Sequence, residues 1–492
     1  MSNYLNSIAI DLGASSGRVM LSKFDGKILR LEEVNRFSNL PVEVNGTTYW
    51  DILGLYREVE QGLKLVKANG HTDIASIGID TWGNDFGLLD KKGSLLGNPV
   101  HYRDNRTLGM MEKVFEIVPK EKIFEQTGIQ FMRLNGLYQL FSMVYEKQPV
   151  LEIADKLLLI PDLLVYYLTG IKMSEFTNAT TTQMYNYQQA DWAKTMLGDL
   201  AIPTRIFTDI IAPGTVIGKM TDKNSKEFGF NNALVTSVAQ HDTGSAVVAI
   251  PTAEEDFAYI SSGTWSLLGT ELKKPVINEK AFKYNFTNEG GAFGTYRLLK
   301  NVMGLWILQE CKRFWDDKGE VNSFAQLEEM VWKAEPFKHL IDPDHELFLE
   351  PGHMPEKISK YCEDMGKEPP VSKGEFVRCI MESLALKYRY VLEKMEDITG
   401  KTYETVHIVG GGAKNKMLCA FTARATVKRV LAGPVEATAI GNVLVQAIAL
   451  KEIGNLREAR AIVKKSFPTA EYQPEAVKEW QDAYLKFEKL IH

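Results

Sequence analysis

Two stretches about 250 residues apart share one grammar: "IAIDLGASSGRVM" (8–20) and "DFAYISSGTWSLLGTEL" (256–272). Each runs from an apolar segment through a turn of Gly, Ser, Ala or Thr into a second apolar segment. Small residues let backbone N–H groups approach an anion, and hydroxyls add donors. A repeated strand–loop–strand of this kind predicts an α/β chain with two related domains facing a central cleft, where ligands commonly bind. In the first copy an acid, Asp11, ends the strand. A carboxylate there can hold the Mg²⁺ that accompanies nucleotide phosphates. On this stretch alone, an ordinary hairpin that needs glycine for its φ angles reads equally well.

Gly13 to Gly17 also match G-x-S-x-G, the nucleophile elbow of serine hydrolases, with Ser15 as the nucleophile. That motif requires a helix after the turn. Residues 18–24 carry no helical cap, and Asp25-Gly26, a hairpin signal, follows. The context is strand, loop, strand, hairpin, strand, and the hydrolase reading is set aside.

A third glycine turn lies in "VHIVGGGAKNKMLCAFTARAT" (406–426), read as a strand, Gly410-Gly411-Gly412 and then a helix. Backbone N–H groups at a helix start make an anion or ribose site. In "LVTSVAQHDTGSAVVAI" (234–250) a strand ends at Gln240-His241-Asp242 before a helix-like run. Asp242 there could accept the proton of a hydroxyl attacking a γ-phosphoryl group, or Asp242 or Thr243 could simply cap the helix. The domain boundary is placed within Gly244–Ile250. This gives an N-terminal domain 1–245, a second domain 246–455, and packing helices 456–492.

Three further elements are expected. "YWDILGLYREVEQGLKLVKANG" (49–70) is an amphipathic helix with Leu53, Leu55, Val59 and Leu63 on its apolar face. A buried helix runs from Pro161 to Gly170, and a terminal one presents Val477, Trp480, Tyr484, Phe487 and Ile491 on one face. Residues 74–96 read as one strand leading into another.

Among 492 residues, 45% are hydrophobic and 24% charged, as in a globular enzyme. A net charge of −6 with no long basic block argues against nucleic-acid or anionic-membrane partners. Met1 to Asn6 carry no secretory pattern, so the four cysteines are expected as free thiols in a cytoplasmic protein. Gly400-Lys401-Thr402 looks like the end of a Walker A loop, but Met395 stands where its first glycine must be. A dinucleotide G-x-G-x-x-G after the first strand and a protein-kinase motif set are both missing.

The motifs "IDLGASSGRVML", "GIDTWGNDFGLLD", "YRDNRT", "AQHDTGSAV", "ISSGTWSLLG", "RLLKNVMGLWILQE", "HIVGGGAKN" and "AGPVEATAIGN" follow one another in this order. In this the chain resembles the FGGY sugar kinases, of the actin/hexokinase/Hsp70-like (ribonuclease H-like) superfamily, over nearly its whole length. The match is strongest to the branch acting on L-rhamnulose. The resemblance implies ATP-dependent transfer of the γ-phosphoryl group to the primary 1-hydroxyl of L-rhamnulose, in L-rhamnose degradation. An L-fuculose or D-xylulose kinase is the alternative, and a non-catalytic sugar or nucleotide sensor is a more distant one. It implies Asp242 as the general base, with Gly83, His241, Asp242 and Thr243 at the sugar. Gly13, Ala14, Ser15, Ser16, Gly17 and Arg18 would form the first phosphate loop. Gly263, Thr264, Asn301, Gln309 and Gly411 would bind nucleotide, and Asp11 would help hold Mg²⁺. The partners implied are the ketose and ATP, for a monomer or homodimer. One position departs from the pattern. Asn84 stands where an apolar residue is expected, and it either alters the accepted hydroxyl pattern or points away.

Overall fold

The computed structural model describes residues 4–491, so the reading of the N-terminal stretch falls partly outside it. The chain forms two compact units, and neither is continuous in sequence. The first comprises 1–253, 271–298 and 437–467; the second comprises 254–270, 299–436 and 468–492. This differs from the linear division at 245 and 455. Packing, not chain order, decides membership, and two segments from the later half of the chain complete the first unit.

The first unit is built on a six-stranded sheet. Its order is Val216–Lys219, Leu234–Thr236, Ser76–Thr81, β1 (Leu5–Leu12), β2 (Ser16–Phe24) and β3 (Leu29–Ser38). β1 runs antiparallel to β2 and parallel to Ser76–Thr81. β1 is covered on both faces, so its sequence is a near-continuous apolar run, with Ile8, Ala9, Ile10 and Leu12 all at 0% exposure. Helix α1 (Ile52–Ala68) packs on β2 and β3, capped by the Asp51 side chain, which accepts from Gly54 N. Its buried stripe is Ile52, Leu55, Val59, Leu63 and Val66, whereas Leu53 is 59% exposed. Ile52, not Leu53, is in phase with Leu55 and Val59.

The helix Ala437–Ala449 packs against β1 and Ser76–Thr81. It also lies so close to Asp242–Val248 that a Cβ at Gly441 would overlap the backbone carbonyl of Ser245. The buried helix Ile160–Thr169 begins with Pro161 and ends at left-handed Gly170, as the sequence indicates. Strands Ser76–Thr81 and Phe86–Leu89 do follow one another, but the latter pairs with Lys156–Leu159 in a separate sheet.

In the second unit, Ala258–Ser262 lies antiparallel to Trp265–Leu272 and parallel to Thr405–Val409, which continues to Arg429–Ala432. Its longest helix, Lys373–Thr399, starts at a Ser372/Glu375 capping box and stops at left-handed Gly400. Gly400 is thus a helix terminator, which accounts for the failed Walker match. In the terminal helix Val477–Leu490, Trp480, Tyr484 and Phe487 are buried, but Val477 is exposed and Ile491 lies past the end. Cys311, Cys362, Cys379 and Cys419 are buried free thiols.

Candidate active site

The parallel pairing of β1 with Ser76–Thr81 sets Asp11 directly beside Asp80. Both are buried at the carboxyl ends of their strands. Burial raises both carboxyl pKa values; the charge of Asp242 pushes both further, and that of Asp11 adds to the rise at Asp80. The effect is larger for Asp80. Asp11 is offset by Arg18, its cross-strand partner, whose Nη2 donates to Oδ2 at 2.6 Å. Asp80 has only a neutral donor, Asn442 Nδ2 at 2.5 Å to Oδ2, and its Oδ1 is without a hydrogen-bond partner.

The turn between β1 and β2 is short and tied down. Gly13 N donates to Ser16 O at 2.9 Å, and Asn39 binds it from the side through Gly13 O and Ser15 O. The chain re-enters a strand at Ser16, so the structure has no helix for a nucleophile elbow. Ala14, Ser15 and Ser16 remain accessible, and Gly17 is buried.

Asp242 is the first residue of the helix Asp242–Val248, and His241 is its N-cap. The His241 side chain makes no capping hydrogen bond. Asp242 Oδ1 meets the first-turn N–H of Thr243 at 2.5 Å and accepts from Thr243 Oγ1 at 3.2 Å, and it lies 3.5 Å from His241 Nε2. Oδ2 has no hydrogen-bond partner among the described residues, and the side chain is 31% exposed. One oxygen is therefore held and the other is available. The strand ends at Thr236, short of the expected Gln240–Asp242, and the extended chain beyond it pairs with the first sheet: Thr81 N donates to Gln240 O at 2.9 Å, and a parallel bridge sets Thr81 against His241.

A buried carboxylate supports this loop. Glu175 accepts from Thr177 N, Thr177 Oγ1, Asn178 N and Gln240 N, and Thr177 Oγ1 accepts from His241 N at 3.1 Å. Burial pushes Glu175 up to about 7, against the pull of these donors.

A second buried carboxylate, Asp85, gathers an aromatic wall that the sequence reading did not assemble. Asp85 Oδ2 accepts from Trp50 Nε1 at 2.6 Å and Trp82 Nε1 at 2.9 Å, and Oδ1 from Gln139 Nε2 at 2.9 Å. Arg106 Nη2 in turn donates to Gln139 Oε1 at 2.7 Å. The two indoles are tilted 36° to each other with centroids 4.1 Å apart, with His101 against Trp50 at 4.2 Å. Burial pushes Asp85 up to about 6 and His101 down to about 3. In the "YRDNRT" segment beside this wall, Tyr102, Asp104 and Thr107 are buried. The only hint in the sequence is an acid, Asp85, heading the apolar strand Phe86–Leu89. Asn84 has φ 75°, a left-handed conformation that Asn tolerates, and its Oδ1 accepts from Gly136 N at 3.2 Å. Its polar group is committed to the start of another helix.

In the second unit, the turn at Ser262–Trp265 closes through Gly263 N to Trp265 O at 2.8 Å. Leu305 N and Trp306 N donate to Gly263 O and Thr264 O, tying the turn to the helix Trp306–Asp317 that carries Gln309. Gly412 packs so tightly that a Cβ would overlap Ser262 Oγ, which sets the third glycine turn beside the second loop. Gly411 faces open space. The segment Gly411–Lys414 is a 3₁₀ turn, and the α-helix starts only at Lys416, capped by Asn415. The expected direct passage from glycines into a helix is corrected accordingly, because Asn415 is the better N-cap. Asn301 lies on Tyr296–Met303, next in the sheet to Trp265–Leu272.

The sequence profile of the FGGY family of carbohydrate kinases, N-terminal domain, matches residues 6–249, and that of its C-terminal domain matches 258–450. The chain belongs to the FGGY family of carbohydrate kinases. Among curated relatives of this FGGY kinase, the rhamnulokinase of Bacteroides thetaiotaomicron is 44% identical over 486 residues, covering 99% of both chains. That of Oceanobacillus iheyensis is 43% identical over 466 residues, covering 95% of this chain and 98% of its own. Solved structures show the same two-domain, actin/hexokinase-like fold. The gluconate kinase of Lactobacillus acidophilus superposes with a TM-score of 0.81 at 16% identity, covering 99% of this chain and 97% of its own. Plasmodium falciparum glycerol kinase with ADP gives 0.77 at 16%, covering 99% and 98%. Of the expected residues, Asp11, the 13–18 loop, Gly83 and His241–Thr243 belong to the first unit of this FGGY kinase, and Gly263, Thr264, Asn301, Gln309 and Gly411 to the second. No helix among the described residues is long and apolar enough to cross a membrane.

Proposed function

We propose that this FGGY kinase transfers the γ-phosphoryl group of ATP to the primary 1-hydroxyl of L-rhamnulose, giving L-rhamnulose 1-phosphate and ADP in L-rhamnose degradation. The substrate is supported by the rhamnulokinase relatives, and the chemistry by Asp242. A carboxylate with one oxygen fixed by Thr243 and the other unspent suits a general base. Asp242 Oδ2 takes the hydroxyl proton as the oxygen attacks phosphorus. Thr243 acts by orienting that carboxylate, since its N–H and its Oγ1 both donate to Asp242 Oδ1. Gly83 and His241 contact the ketose, and the Trp50–Trp82 pair, locked by Asp85, walls it. Phosphoryl transfer depends on positioning and charge neutralisation more than on covalent help. Arg18 and the backbone of 13–17 serve the phosphates. Gly263, Thr264, Asn301, Gln309 and Gly411 serve the nucleotide.

The donor set suits Mg²⁺. Among the described residues no group of three His, Cys, Asp or Glu side chains forms a protein-only metal site. Mg²⁺ prefers one or two carboxylates and keeps waters and phosphate oxygens. Asp11 would hold it, with the unpartnered Asp80 Oδ1 close by in register. When bound, Mg²⁺ neutralises charge developing on the phosphates. We place the enzyme in the cytoplasm, in keeping with its buried free thiols, and as a monomer or homodimer acting on small molecules only.

The test is ADP release with ATP and Mg²⁺ against L-rhamnulose, L-fuculose, D-xylulose, L-ribulose and glycerol, for the wild type and Asp242→Asn. L-Rhamnulose should give the highest kcat/KM. A higher value for another ketose would overturn the substrate assignment and leave the kinase chemistry intact.

A further inference from the structure

The ring nitrogens of His241 face different partners. Nε2 lies 3.5 Å from Asp242 Oδ1. Nδ1 lies 3.1 Å from Arg297 Nη2 and 3.1 Å from Glu289 Oε2, which are themselves 3.2 Å apart. The three atoms form a near-equilateral triangle. Arg297 is fully buried, and Glu289 is 4% exposed. Arg297 Nε donates to Gly290 O at 2.8 Å, which fixes the plane of the fork, and Nη1 has no hydrogen-bond partner. Taking a guanidinium wholly out of water is costly, and a site built for packing alone has no use for one.

A guanidinium has donors and no acceptor, whereas neutral imidazole has one of each. Two arrangements are therefore available. If Nδ1 carries the proton it donates to Glu289. Nε2 then turns a lone pair toward the Asp242 carboxylate, acceptor against acceptor. If Nδ1 is the lone pair, it accepts from Arg297 Nη2, Glu289 balances the guanidinium, and Nε2–H faces Asp242. The first arrangement sets Nδ1–H against the Arg297 donor and the Nε2 lone pair against Asp242, two mismatches; the second leaves one, the Nδ1 lone pair beside Glu289 Oε2, and Arg297 Nη2 stands within 3.2 Å of both to donate between them. Asp242, Glu289 and Arg297 are the charged groups facing the ring; Asp242 and Arg297 favour the second arrangement, and Glu289, which taken alone would favour the first, is occupied in balancing Arg297.

We propose that Arg297, charge-balanced by Glu289, is a positioning residue that holds His241 as the Nε2–H tautomer, so that this N–H is presented beside the base to an oxygen of the ketose. The proposal rests on His241 being a sugar-binding residue, as read above. No proton is transferred by His241. It donates a hydrogen bond whose direction is set from behind.

The tautomer is read directly by ¹⁵N NMR of histidine-labelled enzyme, with the His241 signals assigned by loss in His241→Gln. The proton is expected on Nε2; a proton on Nδ1 overturns the proposal. The kinetic test is a KM-against-kcat split. Arg297→Gln should raise the ketose KM by about tenfold or more, the scale of a lost charge-assisted hydrogen bond. The KM for ATP should hold, and Arg297→Lys, which keeps a cationic donor, should recover part of the loss. Lower thermal stability with an unchanged ketose KM would mark a merely structural ion pair and overturn the proposal. Should the Arg297 variants fail to fold, His241→Gln and His241→Asn decide, because Gln offers its amide N–H near the Nε2 position and Asn near Nδ1. Retention of ketose binding by Gln over Asn is expected, and equal loss overturns the idea. If no ketose drives ADP release in the wild type, the functional reading fails, while the tautomer is still decided by NMR.

Discussion

The loops at Leu12–Gly17 and Ser262–Trp265 join antiparallel strands through small residues, yet they are equipped differently. The first is flanked by an ion pair, Asp11–Arg18 at 2.6 Å, with Asp80 alongside. The second carries no ionisable side chain in Ile260–Leu268, and its shape is held by backbone bonds from Leu305 and Trp306. One topology therefore serves two kinds of work. In the first unit the loop is flanked by charge, and in the second its shape is held by the backbone alone.

That contrast can be broken in order of expected effect. Asp242→Asn should lower kcat by about 10³-fold or more, within the range for loss of a general base, with little change in ATP binding. Rapid-quench measurement of the phosphoryl-transfer step checks this. Asp11→Asn removes charge from the first loop and should lower kcat by about 10²-fold, partly recoverable at high Mg²⁺ in a metal titration. Gly412→Ala acts on the second loop through volume alone, since its Cβ would overlap Ser262 Oγ. It should raise the ATP KM by about tenfold and spare the ketose KM, as steady-state kinetics would reveal. If Gly412→Ala instead damaged kcat as Asp11→Asn does, the division between charge and shape would be wrong.

The smallest effect concerns stability. Asp85 titrates near 6 when folded, against an ordinary value of 3.8, because burial disfavours its charge. Between these values the folded state binds the extra proton, so Asp85 favours folding below about pH 4 and loses that contribution as pH rises through about 6. The Tm of the wild type minus that of Asp85→Asn should therefore fall from about pH 5 to about pH 7.5 and then level off. A flat difference would mean that Asp85 does not change charge in this range.

The loops, Asp242 and the bounds of the helix Ile160–Thr169 were legible because each depends on local chemistry. Glycine, proline and a strand-end acid signal their geometry within a few residues. Leu53 was misread because a Leu beside the buried stripe fits a loose apolar period, and only the packing of Ile52 fixes the phase. The Trp50–Trp82–Asp85–Gln139–Arg106 wall was illegible because its members come from segments with no common period. Glu289 and Arg297 escaped for the same reason, lying far along the chain from the histidine they face. The interleaved units escaped because a boundary drawn along a sequence is a single cut, whereas this chain leaves its first unit and returns twice.

That return has a consequence for biosynthesis. Asp80 receives its one hydrogen bond from Asn442, 362 residues later, and Ile8 O receives Gln446 Nε2 from the same helix. A nascent chain thus exposes its first sheet long before the helix that covers it has left the ribosome. The whole of 299–436 must emerge in between, so the part made first is the part finished last.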